Sequence, residues 1–340
     1  MAPALLRRRA LQRRHAFFLV TLSLLIVLAS LLALGLGRYP ASILESIAAL
    51  TGHSPDITLT HIVYDVRVPR ILMALLVGAG LSVAGCTFQG IFNNPLAAPD
   101  TLGVATGSAF GAVLGLLLGG NGAQTQGSAL VFGVLAMIIV MSVSRTRKAG
   151  GLLMLILAGM IVSALFTALI SLAKILADPQ DQLPGIVYWM MGSLTGATWR
   201  SLTLGFAPIL FGIAVLWSLR WRLNVMSLSE TEAQSLGIRV TQLRWVFILA
   251  STLITASAVS MTGLIGWVGL IIPHAARLLV GGDFRRVLPI SLLLGALFLL
   301  AADTLARAST NAEIPVAVIT SVIGAPLFLW LLARKIGERV

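Results

Sequence analysis

Long apolar stretches recur along this chain with short polar breaks between them, and they decide which solvent it folds in. They lie near residues 16–36, 67–92, 101–119, 128–144, 152–176, 200–218, 245–262, 264–280, 286–306 and 315–333. A bilayer core about 30 Å thick needs about 20 apolar residues per helix. It holds no water, so backbone groups must pair internally, which leaves helices or a closed barrel. These stretches are unbroken and far longer than the alternating segments of about 10 residues that build a barrel. The expected fold is an all-α polytopic membrane protein of about ten transmembrane helices, with 1–340 forming a single membrane domain. The chain is 58% hydrophobic and only 11% charged, whereas a soluble domain is nearer about a quarter charged. The eighth stretch is short and carries Pro273, so a broken or partial crossing is expected there.

A net charge of +12 would suit nucleic acid. The basic residues, however, sit between apolar stretches, where charge sets topology. The partner they point to is lipid, with no nucleic acid. Starting inside, ten crossings place 1–15, 93–100, 145–151, 219–244, 281–285 and the tail from Arg334 in the cytoplasm. With Arg277, near the end of the eighth stretch, and Arg286, at the start of the ninth, assigned to that side, all but six of the 24 Lys and Arg fall there. The exceptions are Arg38, Arg67, Arg70, Lys174, Arg200 and Arg307. Both ends are basic, and an even number of crossings keeps them together. The N-terminal Arg7, Arg8, Arg9, Arg13 and Arg14 before an apolar run from Phe17 to Leu36 resembles a secretion signal. The run is too long for a signal's apolar core and shows no clear A-x-A site, so a retained first helix is expected. Cys86 is the only cysteine, which precludes an internal disulfide; it lies in an apolar run and reads as a small buried hydrophobe.

The outer connections differ in character. Residues 37–66 hold Pro40, His53, Pro55, Asp56 and His61 around a short apolar stretch near 41–50. Residues 119–127 form a Gly-rich polar turn and 177–185 a loop punctuated by prolines. The segment YWMMGSLTGATW (188–199) is predicted to be an interfacial helix, with aromatics at the headgroup level. A shift of 178 residues aligns Ser82, Gly85, Pro95, Ala97, Ala98 and Gly103 with Ser260, Gly263, Pro273, Ala275, Ala276 and Gly281. The two copies would run in opposite directions, as the inverted repeats of transporters do; chance matching of small residues is the alternative.

The longest cytoplasmic connection, 219–244, reads LRWRLNVMSLSETEAQSLGIRVTQLR. Ser229 can cap a short helix beginning at Glu230, with acids favoured in its first turn. Gly237 can end that helix at the C′ position. A compact polar hairpin on a sparse face suggests a docking site for a soluble partner, or else a solvated connector. The chain has no G-x-x-x-x-G-K-[ST] loop for ATP phosphates: its three lysines, Lys148, Lys174 and Lys335, never follow glycine. Charges fall almost entirely at helix ends, with Lys174 the nearest exception, which disfavours an ion-coupled transporter. No acid–base pair or metal cluster points to an enzyme, and His274 alone is a poor metal ligand. Pro95 and Pro273 either break helices as hinges near a transport path or simply end them. Asn93 and Asn94 suit a turn or a helix cap.

Several segments, in order and spacing, resemble the FecCD/BtuC-type permeases, the membrane subunits of ABC importers for iron–siderophores, haem and cobalamin. They are RVPR (67–70), GCTFQGIFNNPLAAPDTLG (85–103), YWMMGS (188–193), SLSETEAQSLGIRV (227–240), GLIGWVGLIIPHAARLLVG (263–281), DTLAR (303–307), Glu313-Ile-Pro and GAP (324–326). The resemblance runs from about residue 40 to 334. It implies a BtuC-like fold of ten helices, a second permease copy in a homodimer, and two ABC ATPase subunits below that carry ATP and Mg. A periplasmic substrate-binding protein would sit above, and the setting would be a bacterial inner membrane with both termini cytoplasmic. The chain itself would bind no cofactor or metal and catalyse nothing. The cargo implied is a metal chelate, most often an iron–siderophore, with haem, cobalamin or an oxyanion as alternatives. Arg67, Arg70 and Arg307 match arginines that meet acidic residues of the binding protein; interfacial anchoring, or a pair between Arg307 and Asp303, is the other reading. Ser229, Glu230, Glu232, Ala233, Leu236 and Gly237 fall in the ATPase-coupling segment. Helices five and ten would line the path. The inner constriction falls near Gly150 to Leu153, where Leu152 and Leu153 stand in place of the cobalamin member's small hydroxyl residues and could gate by excluding water. Ser163 and Thr167 could face the path or bond their own helix carbonyls.

Overall fold

A computed structural model of the chain describes residues 2–37, 39–145, 151–226, 228, 230–309 and 313–337. The elements run α1 (Ala2–Gly35), α2 (Ile43–Leu50), α3 (Ile57–His61), a π-helical turn (Ile62–Arg67) and α4 (Val68–Ile91). A 3-10 turn (Pro99–Leu102) leads to α5 (Val104–Leu117), α6 (Gly122–Arg145), α7 (Gly151–Leu176), α8 (Gln182–Met190) and α9 (Trp199–Leu219). Then come α10 (Leu223–Met226), α11 (Glu230–Ser235), α12 (Val240–Thr262), α13 (Val268–Val280), α14 (Phe284–Ala308) and α15 (Val316–Gly337). Each apolar stretch named above contains a helix, although the one at 264–280 is helical only from Val268. Among the described residues, seven helices are long and apolar enough to cross a membrane, and three are shorter: Val104–Leu117, Val268–Val280 and Val316–Trp330. At 1.5 Å per residue, α5 and α13 reach about 21 and 20 Å, short of the 30 Å core.

Burial sorts the helices into an inner and an outer set. The most apolar stretch of the continuous helix Ile57–Ile91 is 89% buried and that of α12 is 78% buried, against 17% for α1 and 28% for α9. The helix α4 is the hub, packed on α14, α12, α13 and α9. Small residues allow this. A Cβ at Gly78 would sit 2.2 Å from Gly295 O, and one at Gly295 would sit 2.3 Å from Gly78 O, so the backbones of α4 and α14 touch. Ser82 Oγ donates to Ser291 O across the same seam at 2.6 Å. Close small-residue packing of this kind joins membrane helices where no hydrophobic effect can.

Prolines set local irregularities. Pro69, one residue into α4, has no N–H for the carbonyl four back and crowds it. The helix widens just before it, and Val68 N–H reaches Val63 O. Pro273 lies within α13 and frees the Gly269 carbonyl. Gln89 of α4 fills that gap: its Nε2 lies 3.4 Å from Gly269 O and donates to Leu270 O at 3.0 Å. Arg277 Nη2 in turn donates to Gln89 Oε1 at 2.5 Å. Neighbouring side chains satisfying proline-freed carbonyls is the usual membrane solution.

Two sequence expectations are corrected here. The interfacial helix expected over 188–199 is α8, seven or so residues earlier; Gly192, at φ 69°, stops the chain from continuing helical. In the 178-residue repeat, Gly103 and Gly281 share positive φ. Pro95 lies in an irregular stretch after α4 while Pro273 is inside a helix, so ordinary termination, one of the two readings of these prolines, does not hold for Pro273.

Candidate functional site

The hairpin between α9 and α12 is built from two short helices and a turn. The last carbonyls of α11 are satisfied by a glycine cap: Gly237 adopts φ 74° and Ile238 N–H donates to Ala233 O at 3.3 Å. A side chain at that φ is strained, which is why glycine stands there. Ala233 is buried under the turn, while Leu236 is 62% exposed. Glu232 is exposed on α11. Glu230 begins the helix, but its side chain, like Ser229 altogether, lies outside the described residues. A cleft of about 390 Å³ opens beside the turn, walled by Trp221, Arg222, Gly237, Arg239 and Gln242 among others. The exposed Leu236, next in the chain to Gly237, thus stands beside a basic recess.

Two asparagines tie this hairpin to the inner helices. Asn93 Nδ2 donates to Met226 O at 3.1 Å, joining the end of α4 to α10. Asn224 Nδ2 donates to Asp283 Oδ1 at 2.8 Å, and Asn224 Oδ1 accepts the Phe284 N–H at 3.0 Å, joining α10 to the start of α14. Asn93 itself holds φ 47°, a conformation asparagine tolerates better than most. A displacement of the hairpin therefore pulls on α4 and α14 together.

The opposite end of the same two helices carries a buried charge network. Arg70 Nε lies 3.0 and 3.1 Å from the Asp303 carboxylate oxygens, its Nη2 donates to Oδ1 at 2.9 Å, and its Nη1 reaches Glu313 Oε2 at 2.9 Å. Arg307 Nε is 3.3 Å from Asp303 Oδ2, an ion pair without hydrogen-bond alignment. Its Nη1 and Nη2 approach Leu36 O and Ala33 O at 3.4 and 3.3 Å. Arg67 donates to Leu34 O and, at 2.6 Å, to Tyr39 O. The three arginines, expected as docking points for a binding protein or as interfacial anchors, are 3, 4 and 8% exposed for Arg67, Arg70 and Arg307. The reason is local. The last turn of α1 leaves carbonyls without partners and a negative dipole end, and guanidinium forks from α4 and α14 fill both needs. The pair between Arg307 and Asp303 is the reading that geometry supports. Nearby, Tyr39 Oη donates to Asp56 Oδ2 at 2.8 Å and Asp56 caps α3 through the Leu59 N–H at 3.0 Å. The Leu59 N–H and then the Tyr39 hydroxyl hold the Asp56 carboxyl below its usual range, and the same contact pushes the Tyr39 phenol up.

A sequence model described as the FecCD transport family matches residues 24–334. The chain belongs to that family. The Haemophilus influenzae molybdate import permease MolB is 44% identical, over 90% of this chain and 92% of its own. An iron chelatin transport permease of Helicobacter pylori is 38% identical, over 84% of this chain and 86% of its own. A solved inward-facing structure described as a metal-chelate type ABC transporter superposes with a TM-score of 0.86 at 43% identity, covering 93% of this chain and 98% of that one. This FecCD chain is thus a multi-pass permease of the ABC importer kind.

The remaining site residues of the FecCD chain lie apart from both clusters. Leu153 is 67% exposed on α7; Leu152 is helical, with its side chain outside the described residues, as is Gly150 altogether. Ser163 lies against Gly103, at the start of α5. Thr167 donates to Ser163 O at 2.8 Å, the bond to its own helix that was the alternative to facing a path. Sequence reasoning named Asp303 as a partner of Arg307 but missed its bond to Arg70, and it missed Asn224, Glu313 and Gln89 as structural partners. Gln89 had a signal, being the lone amide of α4 opposite a proline-bearing helix.

Proposed function

We propose that this chain is the membrane-spanning half of an ATP-driven importer in a bacterial inner membrane, crossing ten times with both ends cytoplasmic. The observation that carries the reading is the hairpin tied by Asn93 and Asn224 to α4 and α14, two helices that touch along their length and share the buried charge network at the far end. The exposed Leu236 beside the basic cleft, with the exposed Leu228 on the same hairpin, offers an ATPase subunit apolar contacts and a charged rim. Two such subunits, holding ATP and Mg, close on one another as they take up ATP and push the hairpins; α4 and α14 carry the push outward. A second permease copy meets the exposed apolar faces of α7 and α15, and cargo passes between the copies. A periplasmic binding protein delivers that cargo. To be gripped through Arg67, Arg70 and Arg307 it must offer carboxylates that replace Asp303 and the α1 carbonyls.

The cargo we propose is an oxyanion of the molybdate type, supported by the 44% identity to MolB along nine-tenths of the chain. An iron–siderophore is the second reading, supported by the iron chelatin relative. Cells expressing the chain with its ATPase partner and binding protein would be given labelled molybdate or a labelled iron–siderophore. Uptake of molybdate that stops when the partner's ATPase is inactivated is expected. Uptake undiminished by that inactivation would overturn the importer reading, and uptake of the siderophore alone would overturn the cargo.

A further inference from the structure

Two segments singled out in the sequence, GLIGW (263–267) and GAP (324–326), meet where α13 faces α15. The chain runs non-helical from Gly263 to Gly266 and turns at Trp267, which adopts φ 72° and ψ −35°. Across that residue the Val268 N–H donates to Gly266 O at 2.9 Å. A three-residue turn of this kind with positive φ is the rare, strained form of the γ-turn. A bulky side chain persists at positive φ only where its surroundings hold it there. Among the described residues only Asn93 and Trp267 are non-glycines at positive φ, and asparagine tolerates what tryptophan does not.

The surroundings that hold Trp267 are α13 and α15. Its carbonyl accepts the Leu270 and Ile271 N–H groups at 3.0 and 2.9 Å, which fastens the turn to α13. Its side chain sits on α15 where Gly324 leaves room: a Cβ at Gly324 would lie 2.9 Å from both Trp267 Cβ and Cγ. The ring meets Phe328 edge-on at 6.4 Å. Between those two contacts lies Pro326, inside α15. It has no N–H to give to Val322 O, and such a proline is where a helix bends. Trp267 therefore braces α15 on both sides of its bending point. The other side of the turn has space, a cavity of about 250 Å³ bordered by Leu264, Gly266, Trp267, Thr106 and Thr255. The start of α13 also follows α4. A Cβ at Gly85 would collide with Gly269 O, so the two backbones touch there, and Gln89 holds Leu270 O.

We propose that Trp267 is a positioning residue for α15, a strained latch that fixes the bend at Pro326 and releases it when α4 draws α13 away. As Gly269 moves with α4, the γ-turn hydrogen bond breaks and φ at Trp267 returns to the ordinary negative range. The ring then leaves Gly324 for the cavity, and α15 bends. The latch deepens the importer reading and rests on it for the push on α4 and for the place of α15 beside the cargo.

The strain is tested on the full chain alone in detergent. Trp267→Gly should melt about 2–4 °C above both Trp267→Ala and Trp267→Ser. All three remove the ring, and only glycine is at ease at φ 72°. An ordinary helix cap favours serine over glycine, so capping alone gives the opposite order. Alanine or serine melting as high as glycine would overturn the strain. The release is tested on the chain assembled with its ATPase subunit, by hydrogen exchange and mass spectrometry over 263–272 and 320–330, with and without ATP. In the parent, ATP should speed exchange severalfold in both segments together. In Trp267→Ala, and in Gly324→Ala, whose methyl lifts the ring off α15, only 263–272 should still respond. Trp267→Phe should restore the joint response. A joint response in Trp267→Ala, or none over 320–330 in the parent, would overturn the latch. A chain that assembles with no ATPase subunit overturns the importer reading and the latch with it; the melting order, read on the chain alone, separates that failure from an unstrained turn.

Discussion

Asp303→Asn tests whether the outer arginines belong to the fold or wait for a partner. Asp303 is fully buried and receives three contacts from Arg70 at 2.9 to 3.1 Å, with Arg307 Nε at 3.3 Å. Asparagine keeps the shape but removes the anion and turns one acceptor into a donor facing a guanidinium. Breaking a buried pair by removing one partner costs about 3–5 kcal/mol. Glu313, 2.9 Å from Arg70 and 19% exposed in its side chain, retains part of the compensation, so the lower half of that range is expected. That is on the order of several hundredfold in the folded-to-unfolded ratio at about 1.4 kcal/mol per tenfold. Thermal unfolding of the detergent-purified chain, followed by size exclusion, would show it as a melting temperature several degrees lower. Replacing the pair with apolar residues, Arg70→Met with Asp303→Leu, should recover only part of the loss: the two facing charges go together, but Arg307 loses its Asp303 contact and Glu313 its Arg70 contact. An Asp303→Asn chain that melts within a degree of the parent would refute the reasoning, and would leave the arginines free for a binding protein's carboxylates.

Asn224→Ala removes both contacts to the start of α14 and should lower transport several-fold while the ATPase subunit still copurifies; unchanged transport in vesicles would exclude this linkage. Leu236→Asp places a charge on the exposed knob of the hairpin and should reduce ATPase copurification by tenfold or more, checked by pull-down from membranes. The Asp56 carboxyl is held below its ordinary range in the fold, so its cap on α3 is in place at neutral pH and is lost as pH falls through that depressed value. Hydrogen exchange at the Leu59 and Thr60 amides, corrected for intrinsic rates, should accelerate only in acid, and Asp56→Asn should flatten that profile.

The positions of the helices were legible because lipid imposes a simple rule: about 20 apolar residues must be helical wherever they occur. The turn at Gly237 was legible too, since glycine after a short capped helix has one common use. What could not be seen was which polar groups meet. Arg70 and Asp303 are 233 positions apart, and nothing local in RVPR says whether its guanidinium turns outward or in. The carbonyls of Ala33, Leu34 and Leu36 that draw Arg67 and Arg307 inward belong to the backbone, which carries no sequence signal at all. The shortness of α5 was likewise hidden, because apolar residues on its flanks look the same whether helical or not. Candidate path residues such as Ser163 stayed ambiguous for a related reason: a hydroxyl in an apolar helix has its own carbonyls within reach.

The contact between Gly78 and Gly295 has a mechanical meaning. Side chains give: they change rotamer, tilt or slide, and a helix pair separated by them can absorb a small shove. Where main chain rests on main chain there is nothing soft to compress. What the asparagines deliver to one end of α4 and α14 must then arrive at the other as motion of the pair, and whatever bends during a transport cycle must bend elsewhere.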